Sequence, residues 1–328
     1  MSISLHPNRG QKIASLLYKS FSTIGIHGHT EMPEDILPVG VKHGSLEHLL
    51  LITLTISIDY QRDADLLWES SRKSFEDPQI NYLFRPEQLH YVPITKIIED
   101  MQKFGLSKKP RKDAKIWQTV GISFYKKWDG DPRNFLEDCD WFGPRILERL
   151  KLDNHKYGNA MRNDFPYLRG DKIGPLWLRM LRDNVGLSDL QGLEEVPIPV
   201  DIHIARASLA LGLIQGTYSG PLNNIFDAIR SVWADSVRGL EIRNRSMIAL
   251  DVDEPLWHLS RYGCTKRNKI SGDCPVFSKC EANEFCITGQ VDISNNIVEL
   301  QVVSRILCKW VDWLVTEGTG LQSGLPVG

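Results

Sequence analysis

YGCTKRNKISGDCPVFSKCEANEFC (residues 262–286) holds four of the six cysteines of this 328-residue chain: Cys264, Cys274, Cys280 and Cys286, at spacing C-x9-C-x5-C-x5-C. Four thiols on one loop ask for a shared partner, either a tetrahedral zinc or a cubane iron–sulfur cluster. Structural zinc favours C-x2-C pairs, and no gap here is that short. The long gaps and Pro275, directly after Cys274, favour a loop wound around a larger [4Fe–4S] centre. Two disulfides are the alternative. The start MSISLHPNRG lacks the apolar stretch of a secretory signal, so a reducing, cytoplasmic compartment is expected and disulfides are disfavoured. Cys139 and Cys308 lie apart and read as ordinary buried thiols.

Around this loop the chain has ample apolar content (42%) for a core. Its most apolar window, LEHLLLITLTISI, is broken by threonines and ends at Asp59, too soon to span a membrane. The net charge of −2 excludes a bulk polyanion binder. Basic residues are grouped, however. KFGLSKKPRKDAK (103–115) carries six, and Arg261, Lys266, Arg267 and Lys269 crowd the start of the cysteine loop. Such patches suit an enzyme that holds and releases nucleic acid, or are simply solvated lysines.

Periodicity predicts a mainly α fold. A helix over Gln11–Ser22 precedes an irregular Gly/Pro-rich segment, and Ser45 caps a buried helix through LEHLLLITLTISIDY. Further helices are expected at 62–75, 92–103, 113–127, 132–138, 143–152 and Leu176–Arg182, with no convincing strand alternation anywhere. The expected divisions are five. Residues 1–44 form an N-terminal helix and irregular segment packing on the second lobe, and 45–165 a helical domain. Residues 166–215 carry a hairpin and an aspartate segment, 216–290 C-terminal helices and the cysteine loop, and 291–328 a terminal helix and flexible tail.

Residues 165–213 carry the candidate chemistry. Gly170 and Gly174 lie in a turn before an amphipathic helix, where backbone N–H groups approach a phosphate without a Cβ in the way. VPIPVDIHIAR then sets Asp201 ahead of a helix whose Ile202, Ala205 and Leu209 share a face. Aspartate is also a favoured N-cap.

The order of hairpin, VD-x-H-x-x-R and four cysteines resembles the helix-hairpin-helix DNA glycosylase superfamily, in its iron–sulfur type (endonuclease III-like). LRGDKIG (168–174) matches the family's LPGVG hairpin loosely, and VDIHIAR (200–206) matches its aspartate segment well. VPIPVD also looks like the archaeal 8-oxoguanine glycosylases of that superfamily. The resemblance covers roughly residues 45–290. It implies a two-lobed helical fold with a helix-hairpin-helix motif and a C-terminal iron–sulfur loop. Asp201 would be the catalytic carboxylate, and the four cysteines would hold a structural [4Fe–4S] cluster. Gly170 and Gly174 would clamp phosphate, and Tyr60 or Gln61, after LITLTISI, would fill the space of an extruded base. Lys266 and Arg267 would meet the DNA backbone.

Three departures matter. Lys172 replaces the second hairpin glycine, and the first two cysteine gaps differ from the family's C-x6-C-x2-C-x5-C. One register puts Gly174 where lyase-active members carry their Schiff-base lysine; another puts Lys172 there. The implied activity is hydrolysis of the N-glycosidic bond of a damaged or modified base in double-stranded DNA, monofunctional by preference, with Lys172 as the route to strand nicking. Trp117, Trp128, Trp141 and Trp177 either stack on such a base or belong to the core. No membrane or obligate protein partner is expected. A non-catalytic DNA-binding module of the same scaffold and a zinc-loop protein unrelated to DNA are the competing readings.

Overall fold

A computed structural model describes residues 2–157 and 159–303. The fold is mainly α, and the chain divides into two compact units, one of residues 2–30, 200–247 and 251–303, the other of Glu31–Pro199 with Ile248–Leu250.

In chain order, strand β1 (Ser2–Leu5) and helix α1 (Pro7–Thr23) open the first unit. The second unit follows with α2 (Leu46–Ile56), α3 (Ala64–Glu76), α4 (Pro86–Leu89), α5 (Ile94–Asp100), α6 (Pro110–Trp128), α7 (Pro132–Asp138) and α8 (Gly143–Leu152). A hairpin of β2 (Asn154–Tyr157) and β3 (Ala160–Asn163) leads to α9 (Ile173–Met180). The chain returns to the first unit with α10 (Ile202–Ala210), β4 (Ile214–Pro221), α11 (Phe226–Val237), β5 (Glu241–Ile242) and β6 (Arg245–Ser246). It continues through α12 (Asp253–His258), β7 (Thr288–Ser294) and β8 (Ile297–Val303).

The helical expectations hold closely. Ser45 caps α2, its side chain accepting from the His48 amide, and His48 through Ile56 are all buried, so α2 is the central helix of its unit. Around it Phe124, Trp128, Phe135, Phe165 and Trp177 form one aromatic cluster. Trp177 Nε1 donates to Thr53 Oγ1 at 3.0 Å and Trp117 Nε1 to the Leu83 carbonyl at 2.6 Å. Trp117, Trp128 and Trp177 are therefore core, with no face left for a base. Trp141 is half-buried. The buried thiol expected of Cys139 is found, whereas Cys308 lies outside the described residues.

The strands were not expected. An antiparallel sheet of order β1-β4-β8-β7 sits in the first unit. Residues 291–303, read from the sequence as the start of a terminal helix, are β7 and β8. Val291 pairs with Leu300 and Ile293 with Val298 on the buried face, while Asp292 and Glu299 face away. Ser294 and Ile297 close a two-residue loop, Asn295–Asn296, in which both residues are left-handed (φ 52° and 60°). That backbone twist suits a tight hairpin, and asparagine tolerates it better than most residues.

Candidate functional site

In the first unit, α10 links the aspartate to the cysteines. Asp201 caps the helix: its Oδ1 accepts from the His203 amide at 2.8 Å and the Ile204 amide at 3.0 Å. A half-buried carboxylate is thus held rigidly at the positive end of a helix dipole. One turn on, Arg206 reaches Ser260 Oγ at 3.4 Å, and His203 Nδ1 lies 3.3 Å from the same hydroxyl. Burial lowers the Arg206 guanidinium from its usual range, countered by the Cys264 thiol, Asp201 and Asp292. At the other end of α10, Ala210 and Leu211 wall a narrow, apolar cavity.

All four loop cysteines line that cavity, with Leu259, Val276 and Phe277. None of the five described cysteines is in a disulfide. Burial and then the three other thiols push the Cys264 thiol well above its ordinary range, and burial pushes Cys280 up to about 12. Neutral thiols facing one another in an apolar wall are stable only while protonated; a bound cation reverses that preference. The sulfurs do not converge as a compact set of four. Among the described residues, the potential ligands whose atoms all come within 4.8 Å of one another are His27, Cys280 and Glu281. A single tetrahedral zinc, with Zn–S near 2.3 Å, needs four sulfurs roughly 3.8 Å apart. The donor set, four thiols in an apolar wall, has the chemistry of a soft-metal site.

His27 and Glu281 were not singled out from the sequence. The His27 amide donates to Glu281 Oε1 at 2.9 Å and fixes the N-terminal segment beside the cysteine loop, with His27 in a left-handed conformation (φ 51°). No local motif marks this pair, which is distant in sequence.

Arg267 departs from its expected role. Instead of reaching a DNA backbone it is buried, donating to the carbonyls of Asn268 (3.2 Å), Ile287 (3.2 Å) and Gly289 (2.9 Å). Gly272 (φ 83°) makes room, since a Cβ there would lie 2.5 Å from Arg267 Nη2. Lys266 is exposed, as a phosphate contact requires. Lys269 pairs with Asp292 at 2.8 Å, and the Arg261 guanidinium stacks over Trp257.

In the second unit, the turn before α9 meets the end of α2. Lys172 Nζ is 3.1 Å from Asp59 Oδ2, and Tyr167 stacks on Tyr60 with centroids 4.3 Å apart. The Tyr60 hydroxyl donates to Asp113, a buried carboxylate that also accepts from the amides of Lys108 (2.9 Å) and Lys109 (2.8 Å). Burial and this carboxylate raise the Tyr60 phenol well above its usual range. The Tyr60 side chain is thus held both at its ring face and at its hydroxyl. Gln61, exposed and left-handed (φ 54°), is the projecting residue, its Oε1 accepting from Lys109 at 2.7 Å.

Gly170 sits in the turn, its amide donating to the Tyr167 carbonyl at 2.9 Å. Gly174 does not lie at the tip: it is buried inside α9, and its amide donates to the Gly170 carbonyl. Glycine lets α9 pack closely here: a Cβ would lie 2.8 Å from Leu147 Cδ2 of α8 and 3.2 Å from the Leu168 carbonyl oxygen. The β2–β3 hairpin intervenes between α8 and this turn, so the two helices are not joined by the turn alone. The basic run 103–115 is partly engaged internally, Lys103 with Asp77, Lys108 with the Gln61 carbonyl, and Lys112 with Tyr167.

No protein-family model matches this chain, and the search of curated proteins gave no match.

Proposed function

We propose that the chain is a DNA N-glycosylase that everts a damaged or modified base and hydrolyses its glycosidic bond. One observation carries this reading. A single short helix, α10, has a rigidly capped carboxylate at its N-terminus and a cavity lined by four cysteines at its C-terminus.

The chemistry follows from those residues. Eversion costs a few kcal/mol, least for a poorly paired base. Departure of the base develops positive charge on the sugar, and an ionised carboxylate beside it stabilises that charge and orients water. Asp201 is suited to this role because the His203 and Ile204 amides fix its orientation before substrate arrives. Lys172 is paired with Asp59, and an ammonium in an ion pair has no lone pair with which to attack a sugar carbon. That pairing supports a monofunctional enzyme whose product is an intact abasic site. Gln61 is the residue suited to fill the vacated stack, and Lys266 the one to meet phosphate. Cys264, Cys274, Cys280 and Cys286 would hold a [4Fe–4S] cluster, whose contribution is to order the loop.

Asp201 Oδ1 is already engaged as a helix cap, which is what a non-catalytic module of the same scaffold would also need. One experiment separates the readings. Bases released from DNA carrying diverse modifications are identified by mass spectrometry, with wild type and Asp201→Asn. A glycosylase releases a base that the variant does not. Tight DNA binding by both proteins with no released base would establish the binding module instead.

A further inference from the structure

The second unit contains a cavity of about 610 Å³, within the ~300–1,000 Å³ range of small-ligand sites. It plays no part in the proposed chemistry. One stripe of α6, Lys115, Thr119, Ile122 and Lys126, forms a wall at helical spacing. His90 and Ile94 face it from the α4–α5 junction, and the β2–β3 hairpin adds His155, Lys156 and Arg162.

The charge around this cavity is one-sided. Five cations, Lys115, Lys126, Lys127, Lys156 and Arg162, share it with one carboxylate, Asp164. Asp164 is buried and its acceptor capacity is taken up locally. It accepts from Lys127 Nζ at 2.5 Å and from Ser123 Oγ at 3.1 Å, and lies 2.9 Å from His155 Nδ1. It therefore cannot neutralise the rim. Lys115, Lys126 and Lys156 form no ion pair among the described residues. Holding several like charges around a concavity is unfavourable unless an anion enters. A second, independent sign comes from His90: its Nδ1 is buried and meets no hydrogen-bond partner among the described residues, a cost that a ligand donor or acceptor would remove. The floor, meanwhile, is apolar, with Ile94 and Ile122 presenting aliphatic surface between the cations.

A cationic rim over an apolar floor fits a ligand with a flat, weakly polar body and a phosphate tail. We infer that this cavity binds a nucleotide, its base lying on Ile94 and Ile122 near His90 and its phosphate on Lys126, Lys156 and Arg162. A free nucleotide and the 5′-phosphorylated end of a strand share this chemistry. The inference does not depend on the role of Asp201.

Equilibrium binding of ATP and of a 5′-phosphorylated single-stranded 12-mer tests it, using the full chain at ~150 mM salt, with inorganic triphosphate as competitor. Saturable binding of at least one probe is expected, weakened tenfold or more by Lys126→Glu and by Arg162→Glu and unchanged by Asp201→Asn. ATP binding without strand binding identifies the free nucleotide as ligand; strand binding that needs the 5′-phosphate and is displaced by ATP identifies the strand end. Three results would overturn the inference: no saturable binding, binding unaffected by both substitutions, or triphosphate displacing ATP as well as ATP itself does. Circular dichroism of Lys126→Glu guards against misfolding, since Lys126 is exposed near the end of α6.

Discussion

Replacing Arg267 by methionine distinguishes a loop anchor from a DNA contact. Methionine keeps much of the aliphatic stem but withdraws the guanidinium from the Asn268, Ile287 and Gly289 carbonyls. Two of those acceptors, Ile287 and Gly289, lie just beyond Cys286 and would lose a charged donor. At roughly 0.5–1.5 kcal/mol net for each of the three bonds, the loss is about 2–4 kcal/mol. An exposed phosphate-contacting arginine would cost within about 0.5 kcal/mol. The assay has two parts. Denaturant unfolding gives the stability change, and hydrogen exchange followed by mass spectrometry reports on the peptide covering residues 264–290. We expect a destabilisation in that range, faster exchange in the cysteine loop, and DNA affinity reduced by no more than the unfolded fraction explains. Unchanged stability together with a tenfold loss of DNA affinity and a shallower salt dependence would refute the anchoring role and restore Arg267 to the interface.

Asparagine at position 201 keeps an N-cap acceptor, so Asp201→Asn should melt within about 1 kcal/mol of wild type while base release falls at least ~100-fold in single-turnover assays. Cys280→Ala should yield protein lacking the broad absorbance near ~410 nm expected of wild type, with correspondingly less iron by metal analysis. Lys172→Gln should leave base release within a few fold, and borohydride should trap no covalent DNA adduct with wild type. Acid sensitivity should trace to His48, which is buried, accepts the Gly44 amide through Nδ1 at 3.2 Å, and is lowered by burial, and then by His43, to about 4. As pH falls below 6.5 the unfolded chain takes up a proton that the folded chain refuses until about pH 4, so up to roughly 3 kcal/mol of stability is lost across that window. His48→Asn, which does not titrate, should flatten that part of the pH–stability curve measured by urea unfolding.

The helices were legible because their signals are local. Ser45 before an apolar run, proline at the first turn of α7, and periodic burial along α6 each act within a few residues. The sheet escaped because its alternation is short and its turn is Asn-Asn, a weaker hairpin signal than Asn-Gly. The cysteine loop was legible as a ligand set, whereas the buried course of Arg267 was not. Nothing in KRNK distinguishes a guanidinium aimed at solvent from one aimed at carbonyls some twenty residues ahead. Gly174 misled for a related reason: glycine serves close helix contact as well as phosphate approach, and only Leu147 across the gap tells which. Tyr60 could be placed at the end of α2 by periodicity, but its tether to Asp113 depends on a residue more than fifty positions away.

The sheet of the first unit has a consequence for biogenesis. Ser2 pairs with Thr217, which is translated about two hundred residues after it, and Gly216 in turn awaits Val302. Glu31–Pro199, by contrast, is contiguous apart from three later residues and can collapse while the remainder is still being translated. Nascent β1 is left as an orphaned edge until β4 has been translated, so a bulky domain fused directly before Ser2, which would occlude that edge, should lower the yield of correctly assembled protein.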